Sequence, residues 1–181
     1  MTPKAPLKTL LIAAGTLAVA APALAHPART SQANLLDRIQ IEDLLVDYYA
    51  PFGGGEQEAL ASFFTDDGVI DVNGRVYSGR AGIAQAYRDA GAANGGNPTF
   101  KGKFNMLMNF PRFEVLGDTA TADVIWTGVV SSTPKDQPHF AEQGKEHDDF
   151  VKVKGEWMIK KRIITSTGGL APFFQATYKD R

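Results

Sequence analysis

The segment Leu60 to Arg80, LASFFTDDGVIDVNGRVYSGR, constrains the fold more than any other part of the chain. Leu60, Phe63 and Phe64 make the apolar face of a short helix over about Glu56 to Phe64. An acidic turn follows, and Gly68 opens a strand that carries Asp71. Asn73-Gly74 reads as a hairpin turn, because both positions must take a positive φ and Asn and Gly do so at least cost. Ser78-Gly79 then leads into another helix, with Ile83 and Tyr87 on one side.

The rest of the chain extends this order. Ser31 or Asn34 can cap a first helix running to about Tyr49, in which Leu36, Ile39, Leu44, Leu45, Tyr48 and Tyr49 recur near helical spacing. Pro51 and the run Gly53-Gly54-Gly55 end it. Gly91 to Lys103, rich in Gly, Ala and Asn, reads as a loop. After it the pattern turns to strands: Phe104 to Leu116, Ala120 to Ser131, Glu146 to Lys154 and Trp157 to Thr165. Thr133 to Gly144 reads as a longer loop between them. Helices first and meandering strands afterwards predict an α+β fold. A curved antiparallel sheet would wrap around the N-terminal helices, giving a cone with a central, mostly apolar pocket.

The first 25 residues stand apart. Lys4 and Lys8 precede an apolar stretch from Thr9 to Ala21, and Ala23-Leu24-Ala25 has the small-x-small form of a cleavage site. This is the pattern of a secretory signal peptide, too short in its apolar run to span a bilayer. The expected organisation is a signal peptide over 1–25 and one domain over 26–181, periplasmic or secreted, free of the membrane after cleavage. Removal of two Lys and no acid leaves 17 basic and 20 acidic residues in the mature part. With no Lys/Arg-rich run, nucleic acid is not an expected partner. The chain has no Cys, which excludes disulfides, thiol catalysis and thiolate metal sites.

Four pieces of sequence, in order and spacing, resemble the SnoaL-like branch of the nuclear transport factor two-like superfamily. They are Ile41 to Tyr49 (IEDLLVDYY), Phe64 to Gly79, Gly117 to Ala122 (GDTATA) and Asp148 to Arg162 (DDFVKVKGEWMIKKR). The resemblance spans about Leu36 to Ile164 and implies the cone fold of ketosteroid isomerase and scytalone dehydratase. It does not select an activity, because the superfamily includes isomerases, dehydratases, dehydrochlorinases and binding domains. The dehydratase-like members pair an Asp after the first helix with a His on the first long strand. Here those positions fall at about Gly53 and Asn105, neither of which exchanges a proton near neutral pH. Against ketosteroid isomerase, Tyr48 falls near the Tyr and Asp148 near the Asp that stabilise an enolate. Asp71 falls within one residue of the base.

Each candidate has an ordinary structural alternative. Asp71 is a general base if its strand turns it inward, and otherwise a turn residue bonded to Asn73. Tyr48 offers a phenol to a ligand, or packs its ring between helix and sheet. Asp148 and Asp149 are adjacent on a strand and must point to opposite faces, so one is buried and must pair or shift its pKa. His147 is an acid/base candidate or a strand residue open to water. Asn105 and Asn109 share a strand face and could bind a carbonyl or hydroxyl. Arg162, on a face with Lys160, could hold a carboxylate or pair with an acid. Tyr49, Phe64 and Trp126 complete the candidate ligand-binding set. No ligand spacing for a metal and no cofactor motif stands out. The expectation is a small hydrophobic ligand or substrate, a homodimer, and either cofactor-independent isomerase or lyase chemistry or a non-catalytic binding or dimerisation module.

Overall fold

The computed structural model describes residues 30–51, 57–93, 103–133 and 135–168. The expected signal peptide and Gly53 lie outside these residues. Helix α1 runs Leu35–Tyr49, a 3₁₀ segment follows over Gln57–Phe63, and β1 (Phe64–Val72) and β2 (Arg75–Ser78) form a hairpin. Helix α2 (Gly79–Ala93) leads to a meander of four long strands: β3 (Lys103–Leu116), β4 (Thr119–Ser131), β5 (His139–Val153) and β6 (Glu156–Gly168). Strand β5 begins at His139 and so takes up much of the expected Thr133–Gly144 loop.

All six strands form one curved, open sheet in the order β2-β1-β6-β5-β4-β3. The α+β cone stands, with one difference: β1 pairs with β6 in parallel, so the sheet is mixed. The topology explains this. β2 occupies one edge of β1, α2 carries the chain across, and the meander returns its last strand to the free edge of β1. The β1–β2 turn is the expected Asn-Gly hairpin, with Asn73 at φ 53° and Gly74 at φ 89°. Lys154 (φ 53°) and Gly155 (φ 90°) repeat that geometry between β5 and β6.

Helix α1 buries Ile41, Leu45 and Tyr48, which sit four and three residues apart and therefore on one face. The apolar residues Leu36 and Ile39 fall off that face and are 66% and 45% exposed. Helix α2 buries Ile83 and Tyr87 as its spacing predicts. Both helices share a core with Phe64, Ile70, Phe113, Phe150, Trp157 and Ile159 from the inner face of the sheet. Each such side chain contributes about 1.5–3 kcal/mol by leaving water.

Register then decides which polar side chains enter that core. Ile70, Arg162, Asp148 and Ala122 lie side by side across β1, β6, β5 and β4. Two residues further along, Val72, Ile164, Glu146 and Val124 make the next row, and then Ser166, Gly144, Trp126 and Met108. A period of two along each strand keeps all three rows on the inner face.

Candidate functional site

An Arg and two acids occupy the inner face where α1 crosses the sheet. Arg162 is completely buried and grips Asp148 with two hydrogen bonds, Nε to Oδ1 at 2.7 Å and Nη2 to Oδ2 at 3.1 Å. This fork-to-fork geometry is the strong form of an Arg–carboxylate contact. The guanidinium carbon also sits 3.9 Å from the centroid of the Tyr48 ring and 5.4 Å from that of Tyr49. The aromatic faces partly replace lost hydration, since a buried cation gains most from a π-face when no water competes. Phe64 closes the floor, its ring edge-on to Tyr48.

Glu146 lies beside this pair. Its Oε1 is 3.2 Å from Arg162 Nη2, yet off the direction of a hydrogen bond, so Oε1 has no hydrogen-bond partner. Its Oε2 accepts a hydrogen bond from the Tyr49 hydroxyl. Burial pushes the Glu146 carboxyl up to about 8; Arg162 opposes the shift and Asp148 adds to it. One cation therefore faces two acids, and burial favours the protonated form of Glu146. Burial likewise raises Tyr48, and raises Tyr49 and Tyr87 well above the ordinary phenol value, so all three remain proton donors. Tyr48 and Tyr87 share a hydrogen bond between their hydroxyls, tying α1 to α2 at the edge of the cluster.

Further along β5, Glu142 is half-buried on the same inner face, and desolvation raises it to about 7. Between the two acids lies the Trp126–Gly144 pair. The inner face thus carries two carboxyls that burial raises, beside the aromatic rings of Tyr48, Tyr49 and Trp126. Among the described residues, no group of three or more His, Asp or Glu could hold a metal ion.

Of the residues singled out from sequence, Tyr48, Tyr49, Phe64, Asp148, Arg162 and Trp126 share this inner surface. The others stand elsewhere. Asp71 alternates away from the buried Ile70 and Val72, and its Oδ1 accepts the Gly74 backbone N–H at 2.6 Å, holding the hairpin turn. His147 is on the outer face, with Nδ1 2.7 Å from Asp123 and Nε2 3.5 Å from Asp149. The hydrogen bond to Asp123 raises its pKa. Asn105 is exposed on the side of β3 opposite Met106 and Met108. Asn109 shares that outer side and donates weakly to Leu107 O and Thr127 Oγ1. Glu146, Glu142 and Tyr87 are not among the residues the sequence pattern singles out. Strand alternation from Asp148 places Glu146 on the same face, and that was the available signal.

A SnoaL-like domain model matches residues 33–163, most of the chain. The protein belongs to the SnoaL-like domain family. An uncharacterised protein of Mycobacterium tuberculosis, Rv2910c, is 30% identical over 146 residues, covering 75% of this chain and 88% of its own. Solved structures share the fold, among them two from one organism. One is an NTF2-like protein with a cystatin-like fold from Novosphingobium aromaticivorans, at TM-score 0.58 and 22% identity, covering 81% of this chain and 91% of that one. The other, from the same organism, is named as a candidate scytalone dehydratase, at TM-score 0.59 and 20% identity, covering 75% and 87%. The fold family includes isomerases and dehydratases.

Proposed function

We propose that this SnoaL-like protein binds a small hydrophobic carbonyl compound within the cone and moves a proton on it without a cofactor, as an isomerase or lyase does. The observation that carries this reading is Glu146: a buried carboxyl raised to about 8, with Oε2 held by Tyr49 and Oε1 3.2 Å from Arg162 Nη2. A neutral carboxylic acid in a low-dielectric site can donate its proton, or a hydrogen bond, to a developing enolate oxygen. Glu142, raised to about 7, is the inner-face acid suited to accept a proton from carbon. Asp148 and Arg162, held together by two hydrogen bonds, fix the geometry of the cluster. The apparent signal peptide supports action outside the cytoplasm. Leu107 and Ile125, 49% and 41% exposed on the outer face, support association of two copies through the sheet.

Exchange of the α-protons of 2-tetralone in D₂O, followed by NMR, tests this reading. The wild-type protein is expected to accelerate exchange, and Glu146→Gln to lose the acceleration by about 100-fold or more. Equal rates in the two proteins, or no acceleration by the wild type, would overturn it.

One observation favours a second reading. Arg162, Asp148 and Glu146 are 0%, 0% and 3% exposed. Such a closed polar core serves a non-catalytic ligand-binding or dimerisation module equally well. Under that reading ligand binds, and neither protein catalyses exchange.

A further inference from the structure

Trp126 is the inner-face side chain whose chemistry the cluster above does not use. It is 3% exposed, and its indole Nε1–H has no hydrogen-bond partner. A buried donor left unpaired is costly, and native proteins tolerate few of them. The indole is also held in an unusual way. A Cβ added to Gly144, its partner across the β4–β5 ladder, would lie 2.4 Å from Trp126 Cζ2 and 2.8 Å from Cε2. The Cε2–Cζ2 edge of the ring, next to Nε1, therefore packs against β5 in space that only glycine leaves free, with the Thr165 carbonyl also 2.5 Å from where a Cβ would stand. The neighbouring row repeats the device. A Cβ on Gly128 would lie 2.7 Å from the Phe104 ring and 2.8 Å from Glu142 Cγ. Two glycines thus let Trp126 and Phe104 approach the strand backbone closely, and Met106 and Met108 are half-buried beside them.

We infer that Trp126 is a specificity-determining residue: its indole N–H, laid over Gly144, selects planar apolar ligands that carry a neutral hydrogen-bond-accepting oxygen. The flat aromatic floor gives affinity for planar carbon skeletons. The lone N–H gives the choice among them, since a ligand without an acceptor leaves it unpaired. Glu142 and Glu146 flank the indole along β5, one row to each side, and the Arg162 guanidinium that grips Asp148 lies one row beyond Glu146. A carboxylate loses more hydration on burial than a ketone and finds a single indole N–H in return, so a ketone suits the position better.

The inference rests on the small-molecule reading above, but binding tests it without turnover. The probes are 2-acetylnaphthalene, its isostere 2-isopropenylnaphthalene, in which CH₂ replaces the carbonyl oxygen, and 2-naphthoate. Equilibrium dialysis against the full protein measures all three. In the wild type the ketone is expected to bind about tenfold tighter than the alkene, with the naphthoate weaker than the ketone. In Trp126→Phe the ketone is expected to lose its lead, because it sheds hydration and receives no hydrogen bond in return. Replacement of Trp126 by 3-benzothienylalanine, which keeps the bicyclic shape and lacks the N–H, should do the same should the Phe variant not fold. Equal binding of ketone and alkene by the wild type, binding of neither, or an unchanged ratio in both variants would overturn the inference. Retained ketone preference without proton exchange would sink the catalytic reading alone.

Discussion

Strand β5 presents two pairs of titratable residues, one residue apart, in opposite circumstances. Glu146 and Asp148 point inward and are buried with Arg162, while His147 and Asp149 point outward and stay in water. Inside, burial drives Glu146 to about 8, and Asp148 is paired with Arg162. Outside, His147 bonds Asp123 with side chains 42% and 59% exposed, where water screens the pair. Facing side, not residue type, separates chemistry from solvation on this strand.

The sharpest way to break the comparison is to delete one charge on each face. Arg162→Met is expected to cost about 3–5 kcal/mol of stability, because it strands Asp148 beside Glu146 without a cation. Asp123→Asn on the outer face is expected to cost at most about 1 kcal/mol. Urea unfolding of the two variants measures both, and equal losses would erase the distinction.

The pH dependence of stability is the next largest effect. The folded protein holds a proton on Glu146 that the unfolded chain releases near 4.5. Stability from this group is full below about pH 4.5, falls as pH rises, and levels off above about 8. Glu146→Gln, neutral at every pH, should flatten that part of the profile, as read from unfolding midpoints across the range. His147 has the same sign on a smaller scale: its raised pKa stabilises fully below 6.5, and the gain disappears as pH rises through the folded value. Asp123→Asn should lower the His147 titration point followed by NMR, while the Glu146 profile stays as it is.

The smallest effect belongs to the hairpin. Asp71→Ala removes the acceptor of the Gly74 N–H and is expected to cost about 1 kcal/mol. It should leave exchange of 2-tetralone unchanged, since Asp71 faces away from the cluster.

Much of the fold is legible in the sequence, and less of the site. The Asn73-Gly74 turn, the Ile83/Tyr87 face and the long strands follow from local chemistry, which acts over a few residues. The parallel pairing of β1 with β6 does not, because it depends on which edge of β1 remains free after the hairpin closes. Asp148 and Arg162 are recognisable as polar residues on predicted strands, but their partnership requires the β5–β6 register. Asp71 shows the limit most clearly. Its neighbours Ile70 and Val72 claim the core, and alternation then sends Asp71 to the other face. Glu146 lies at the edge of the expected strand, where alternation is weakest as a guide, although the strand in fact starts at His139.

The central claim is that the inner-face acid Glu146 keeps its proton at neutral pH. A ¹³C NMR titration of the glutamate side-chain carboxyls, with Glu146→Gln assigning the resonance, tests it directly. The account predicts that this carboxyl titrates near 8. Titration near 4.5, the ordinary glutamate value, would contradict it.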